Sequence, residues 1–154
     1  MNNLILRRAE PSDMPVLLQF EQGIIAAERP FDPTLKNGHI NYYDIGEMIV
    51  SDTAEVLVVT AEDNIVASGY AKIKQSKDYV EHESHAFLGF MFVLPEFRGK
   101  RVNQMIIDGL TQWAKSRDIS EIRLEVYAEN EAAIRAYKKA GFYEHIVRMR
   151  AKID

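Results

Sequence analysis

Between Phe87 and Phe142 the chain alternates apolar strand patterns with helix starts, and the two joints between them confine the possible folds sharply. The apolar run Phe87-Leu88-Gly89-Phe90-Met91-Phe92-Val93-Leu94 stops at Pro95, and Phe97-Arg98-Gly99-Lys100-Arg101-Val102-Asn103 leads directly into a helical pattern. Val102, Met105, Ile106, Leu110, Trp113 and Ala114 recur at three- and four-residue spacing, which predicts a helix burying one stripe. Ile122, Leu124 and Val126 then alternate with Arg123, Glu125 and Tyr127, a period-two strand. Asn130-Glu131-Ala132-Ala133-Ile134-Arg135-Ala136-Tyr137 follows as a capped short helix that closes on Gly141-Phe142. A strand feeding a basic, glycine-containing turn at a helix start presents backbone N–H groups and a positive dipole end to a phosphate. Alone, such a turn is usually a solvated helix end. Its place after an apolar strand and Pro95, with Tyr137 on a helix beside the next strand, favours an enzyme holding a pyrophosphate-bearing cofactor in a split sheet.

The remaining pattern supplies the rest of the sheet. Leu4 to Arg8 reads as a short strand, and Pro11-Ser12-Asp13 opens a helix with Ser12 or Asp13 as its cap and Val16, Leu17, Phe20 and Ile24 on one face. Pro30-Phe31-Asp32-Pro33 breaks that helix, Asn37-Gly38 is a further turn, and Tyr42 to Val50 predicts a second short helix. Glu55 to Thr60 and Ile65 to Ile73 are strands around the turn Glu62-Asp63-Asn64, Gln75 to Glu83 is a polar loop, and a last strand is expected after Gly141-Phe142 through about Lys152. The predicted class is α+β (three-layer α/β): a mixed, mostly antiparallel split sheet flanked by helices.

Composition excludes several alternatives. A chain of 154 residues fits one domain, residues 1–154, and its 47% hydrophobic content argues against intrinsic disorder. With no cysteine there is no disulfide, thiolate metal site or cysteine nucleophile, which accords with a reducing cytoplasm. Met1-Asn2-Asn3-Leu4-Ile5-Leu6-Arg7-Arg8 places its charges after a very short apolar run, so no secretory signal is expected. No apolar run approaches about 18 residues, so no membrane span is expected. A formal charge of −4 makes the chain a poor generic binder of nucleic acid and does not repel a cationic amine.

These segments resemble the GNAT superfamily of N-acetyltransferases, which move an acetyl group from acetyl-coenzyme A to an amine. The family loop, Arg/Gln-x-x-Gly-x-Gly/Ala, is matched by Arg98 to Asn103, and the later signature by Asn130, Ala133-Ile134, Tyr137 and Gly141-Phe142. The resemblance covers nearly the whole chain. It implies acetyl-CoA as donor, no metal, and an amine acceptor, either a small molecule or a peptide. It implies that Arg98, Gly99, Lys100, Arg101, Val102 and Asn103 hold the pyrophosphate chiefly through backbone N–H groups. Met91, Phe92 and Val93 would offer main-chain groups to the pantetheine arm, and Asn130 and Ala133 would lie against the cofactor. Arg101 and Asn103 depart from the family's small residues. The expectation is a backbone already helical at Arg101, with Asn103 as the residue that tolerates a left-handed conformation. The same departures keep open a rival reading, a non-catalytic sensor or regulatory module for coenzyme A derivatives.

The chemistry requires an amine to lose its proton. An alkylamine with pKa near 10.4 is neutral to about 10⁻³ at pH 7.4, a deficit of about 4 kcal/mol that a positioned base recovers in part. Glu125 is the candidate base, twelve residues before Tyr137 on the strand leading to Asn130. The plain alternative is a polar residue on a partly exposed strand face. By the resemblance, the Tyr137 hydroxyl faces the cofactor sulfur and donates a hydrogen bond to the developing thiolate; the alternative is a core tyrosine beside Ile134. His82 and His85 lack further ligands and are expected to be ordinary polar residues. Glu21, Glu28, Asp32, Tyr42, Tyr43 and Asp44 are expected to form an acidic, aromatic mouth for the amine. An open edge at the last strand makes a homodimer plausible.

Overall fold

The computed structural model describes residues 3–154; Met1 and Asn2, part of the N-terminal stretch discussed above, lie outside the described residues. The order is β1 (Leu4–Arg8), a 3₁₀ turn (Pro11–Asp13), α1 (Met14–Glu28), a 3₁₀ turn (Arg29–Phe31), α2 (Ile45–Val50), β2 (Ala54–Ala61), β3 (Asn64–Gln75), β4 (Ser84–Val93), a 3₁₀ turn (Pro95–Phe97), α3 (Val102–Ser116), β5 (Ile122–Arg123) and α4 (Glu131–Lys139). The strands lie in sequence order, β1 to β4 antiparallel and β4 to β5 parallel. The mixed, mostly antiparallel sheet expected from the pattern is present.

Strand β2 shows why the sheet has helices on both sides. Its apolar run alternates faces: Leu57 and Val59 join α3 residues Val102, Ile106, Leu110 and Ala114, whereas Val56 and Val58 join Leu17, Phe20 and Ile24 of α1 and Ile45 and Met48 of α2. The sheet is therefore the middle of three layers. Gly69 on β3 allows α3 to sit close, since a Cβ there would run into Ile106 Cγ2. The β2–β3 hairpin turns on Glu62 and Asp63, both with positive φ (51° and 69°), and Asn64 is already in the strand.

Several expectations change. Neither Ser12 nor Asp13 caps α1 with its side chain; the Asp13 carboxylate accepts from Glu10 N at 2.7 Å and pairs with Arg7 at 2.9 Å. Helix α2 starts at Ile45 rather than Tyr42, because Asp44 is its cap and accepts from Glu47 N at 3.3 Å. The strand expected over Ile122 to Tyr127 forms a ladder only at Ile122 and Arg123. The strand expected through Lys152 forms no ladder among the described residues, and residues 143–154 are exposed.

Candidate functional site

The centre of the site is a place where the sheet comes apart. On one side of β4, Gly89 faces Tyr70 and Phe92 faces Ser68, so Phe90 and Met91 together oppose Gly69 in a β-bulge. Phe90 takes φ 58°, its carbonyl accepts from Ser68 Oγ at 3.1 Å, and its ring is buried 5.4 Å from that of Tyr43. On the other side, β4 meets β5 only at Ala86–Ile122 and Phe87–Arg123. Beyond those pairs the strands part, so Leu88 to Val93 have no strand partner on that edge among the described residues. Met91 packs with the α3 core, Phe92 stacks on Phe20 at 4.7 Å in the opposite layer, and the Val93 carbonyl accepts from Arg98 Nε at 2.9 Å. One main-chain acceptor expected to be free is therefore taken within the chain.

The turn that follows is wound tightly. Gly99 has φ 76° and Arg101 φ 63°, ψ 18°, and α3 begins only at Val102. This corrects the sequence reading: the left-handed residue is Arg101, not Asn103, which lies within the helix. Among the described residues no side chain caps α3, and its first i→i−4 bond runs from Met105 N to Arg101 O at 3.3 Å. The N–H groups of Val102, Asn103 and Gln104 thus point out of the helix end, where an anion finds both donors and the dipole. Val102, 1% exposed, anchors this end in the core. Arg98 folds back over the Phe92 ring at 5.8 Å, the Lys100 ammonium lies 5.7 Å from the Phe97 ring, and Arg101 is exposed.

Tyrosines gather on the far side of the opening. Asn130 caps α4, its side chain accepting from Ala133 N at 3.3 Å. Tyr137, two turns on, meets the Phe142 ring edge-on at 5.8 Å, and burial followed by the charge of Glu28 pushes its phenol up to about 12. Burial also raises the Glu28 carboxyl, with Tyr42 and Asp32 as its polar neighbours. Tyr42 is raised by burial and then by Glu28, and Tyr127 is raised to about 12 by burial and by its hydrogen bond to Asp32 at 3.0 Å. Glu28 is therefore the carboxyl whose charge reaches Tyr42, Tyr127 and Tyr137 together. Glu125 is exposed and pairs with Arg148 at 3.2 Å, while its charge adds to the burial that lifts Tyr70 to about 12.

Residues 22–142 match the profile of the Acetyltransferase (GNAT) family. This chain belongs to that family. Curated relatives include an uncharacterized N-acetyltransferase of Methanocaldococcus jannaschii, 35% identical over 42% of this chain and 29% of its own length. An aminoglycoside N(6′)-acetyltransferase type 1 of Salmonella typhimurium is 27% identical over 64% of this chain and 68% of its own. The chain spans between 24% and 48% of the length of three of these curated matches, the Methanocaldococcus jannaschii relative among them. Among solved structures, a tetramutant of the BH1408 protein from Bacillus halodurans superposes with a TM-score of 0.86 at 18% identity, covering 97% of this chain and 99% of that one. A predicted acetyltransferase of Clostridium acetobutylicum, solved with acetyl-CoA, gives 0.73 at 17% identity over 97% and 96%. At these identities the superpositions establish the fold.

The acidic, aromatic cluster expected from the sequence has fewer unengaged groups than its pattern suggests. Glu21 is fully buried, and its Oε2 accepts from Tyr42 N at 2.7 Å and Tyr43 N at 2.8 Å, so it pins the segment before α2. Tyr43 lies among Tyr70 and Phe90, each 5.4 Å away, and Asp44 is a helix cap. Asp32 accepts from Thr34 N at 3.0 Å, Tyr127 Oη at 3.0 Å and Arg150 Nη2 at 3.1 Å, and bonding to Thr34 first holds its carboxyl well below the usual range. That leaves Glu28 and the Tyr42 hydroxyl, which is buried without a hydrogen-bond partner among the described residues. Tyr127 was not singled out from sequence, although its strand alternation puts it on the face of Glu125; its ring stacks on Phe31 at 6.2 Å. The histidines belong to a separate polar group: His85 Nδ1 meets Ser76 Oγ at 2.9 Å, and His82 lies 3.1 Å from Glu121, which also bonds Arg123.

Proposed function

We propose that the chain, as a single N-acetyltransferase domain over residues 1–154, transfers an acetyl group from acetyl-CoA to a primary amine by direct attack. The observation that carries this reading is the parting of β4 from β5, with the bulged run Leu88–Val93 on one side and the segment leading to Asn130 and Tyr137 on the other. The N–H groups of Val102, Asn103 and Gln104, with Lys100 and Arg101 adding positive charge, suit the pyrophosphate; Gly99 shapes the turn and Arg98 braces it. Free main-chain groups on Met91 and Phe92, and the start of α4 at Asn130 and Ala133, suit the pantetheine arm. Acetyl-CoA supplies the activated acyl carbon.

The chain's own groups then have distinct tasks. The ammonium must give its proton to a carboxylate or to water before the C–N bond forms. As the C–S bond breaks, the departing sulfur takes the electron pair, and the Tyr137 hydroxyl donates a hydrogen bond to it. A phenol held near 12 remains a donor across the neutral range. Two carboxylates suit the base. Glu125 is on the strand leading to the opening, but it is exposed and carries Arg148. Glu28 is favoured by its raised, half-buried carboxyl amid the tyrosines, which brings it nearer the working pH. A cationic amine, such as a polyamine, a lysine side chain, a peptide N-terminus or an aminoglycoside, fits an acid set among aromatic rings.

Thiol release should be followed over a panel of such amines. Tyr137→Phe and Glu28→Gln are expected to lower kcat/KM by about 10²-fold or more, the scale of acid–base assistance, with Glu125→Gln losing less. The second reading, a sensor of coenzyme A derivatives, is favoured by Arg101 standing in the turn. Tight acetyl-CoA binding with no thiol release for any amine would select it.

A further inference from the structure

The charges around the opening are sorted by sign. Most of the acids expected at the mouth are engaged within the chain. Glu21 holds the amides of Tyr42 and Tyr43, Asp32 is held by Thr34, Tyr127 and Arg150, Asp44 caps α2, and Glu125 carries Arg148. Glu28 is the acid of this group that no cation or amide holds among the described residues, and it is half-buried beside Tyr42.

The opposite sign collects on one face of the sheet, in the rows next to the opening. Tyr70 stands opposite Gly89, Lys72 opposite Phe87, and Lys74 opposite His85. Alternation puts 70, 72 and 74 on one face, and Tyr70 and Phe87 both pack in the layer of α1 and α2. Tyr70 leans across Gly89, where an added Cβ would meet its hydroxyl at 2.7 Å, so this row borders the place where β4 and β5 part. Lys72 and Lys74 follow roughly 7 and 14 Å farther along β3. The Lys74 ammonium lies 4.1 Å from the centre of the half-buried Phe87 ring, and that of Lys72 lies 5.8 Å from the Tyr70 ring. Neither lysine pairs with a carboxylate among the described residues. Across Phe87, its register partner Arg123 is already held by Glu121, which also takes His82. Phe87 is thus an apolar strip bordered by ammonium groups with no acid to answer them.

We infer that the acceptor is an amine that also carries an anionic group, a carboxylate or a phosphate. Its ammonium is directed to Glu28 and the opening, its carbon chain lies along Phe87, and its anion sits between Lys72 and Lys74. The inference rests on the amine-transfer reading above and narrows it. A polyamine or an aminoglycoside brings several cations and no anion, whereas this face leaves one carboxyl and two ammonium groups unengaged. A second cation set beside Lys72 and Lys74 meets like charge, while an anion there gains charge-assisted hydrogen bonds. The rings of Tyr42 and Tyr43, 5.6 Å apart, and of Tyr43 and Tyr70, 5.4 Å apart, separate the acid from the cations, so the two ends of such an acceptor meet opposite signs.

Titration calorimetry on the coenzyme A complex, together with thiol-release rates, tests this with four sets of amines. These are ω-amino carboxylates of about five to eight carbons, aminoalkyl phosphates of the same reach, plain alkylamines of equal length, and spermidine. The anion-bearing amines should bind more tightly than the plain ones, and react with higher kcat/KM, by about tenfold or more, the scale of a hydrogen bond to a charged group. The stronger of the carboxylate and phosphate series identifies the anion. The double variant Lys72→Met, Lys74→Met should bring the ratio of anionic to plain amine to within about twofold of one, through KM rather than kcat. Lys72→Arg, Lys74→Arg should restore the ratio, whereas a merely structural role would lower both series alike. Equal affinity for anionic and plain amines, a preference for spermidine, or no binding of either anionic series overturns the inference and leaves amine transfer to be judged by thiol release alone. Anion-dependent binding with no thiol release from any amine keeps the anion subsite and overturns the transferase reading instead.

Discussion

Replacing Arg101 by glycine should stabilise the protein, although it removes a cation from the turn proposed to hold a pyrophosphate. Arg101 sits at φ 63°, ψ 18° immediately before α3, and holding an L-residue in that region costs about 1–2 kcal/mol because Cβ crowds the following carbonyl. Glycine removes that crowding. Its greater freedom in the unfolded chain returns about 0.5–1 kcal/mol. The net gain is about 0.5–1 kcal/mol, a rise in Tm of about 1–4 °C for a chain this long. Arg101→Ala is the decisive control, since it deletes the charge and keeps the strain; it should melt within about 1 °C of the wild type. An alanine variant as stable as the glycine variant, or a glycine variant melting below the wild type, would refute the strain assignment. Titration calorimetry with coenzyme A checks the other half. If backbone N–H groups carry the pyrophosphate, losing one exposed cation weakens binding by about fivefold or less. A fall beyond fiftyfold in both variants would show that the guanidinium is the main contact.

Glu21→Ala leaves the amides of Tyr42 and Tyr43 without their acceptor and should cost about 3 kcal/mol in a urea melt, with Glu21→Gln losing less because one oxygen remains. Asp13 is lowered chiefly by its hydrogen bond to Arg7, so its contribution is complete above about 4 and disappears as pH falls through its folded pKa. Acid titrations should therefore show a shallower loss below pH 4 in Asp13→Asn, and identical acid slopes would contradict it. Tyr70, Tyr127 and Tyr137 are each raised to about 12. A raised tyrosine stabilises fully below its unfolded pKa near 10 and loses that contribution as pH rises toward 12. In a Tyr79→Phe, Tyr143→Phe background, which removes the exposed phenols, phenolate absorbance should appear together with loss of circular dichroism in that window, and phenolate formation at pH 10 in the intact fold would count against buried phenols.

Periodicity carried most of the fold because it reports burial directly. Leu17, Phe20 and Ile24 face one layer, Val102, Ile106 and Leu110 the other, and both stripes are visible as spacing alone. The candidate site was legible in part: Asn130 caps α4 as its residue type and position suggest, whereas the left-handed turn at Arg101, where the pattern favoured helix, was not. What escaped were long-range polar bonds. Nothing local marks Glu21 as the acceptor for amides 21 and 22 residues away, nor Asp32 as the partner of Tyr127 and Arg150. A pattern of acids before a helix reads as a charged mouth until the structure shows which carboxylates are already engaged. The last predicted strand, through Lys152, escaped for a different reason: alternation reports which face would be buried, not whether a neighbouring strand is in reach, and no ladder forms there among the described residues.

Backbone strain separates aimed groups from merely packed ones. Five non-glycine residues have positive φ among the described residues, namely Glu62, Asp63, Phe90, Arg101 and Asp118. Glu62 and Asp63 form a hairpin turn, and Asp118 lies just past the end of α3, places where left-handed residues are ordinary. Phe90 and Arg101 have no such excuse. They bracket the run in which β4 loses its partner and α3 presents its first turn, and each is held from behind: Phe90 by Ser68 Oγ and the Tyr43 ring, Arg101 by Val102 buried in the core. Strain persists only where surrounding contacts over-determine it, and Ser68, Tyr43 and the buried Val102 supply those contacts here.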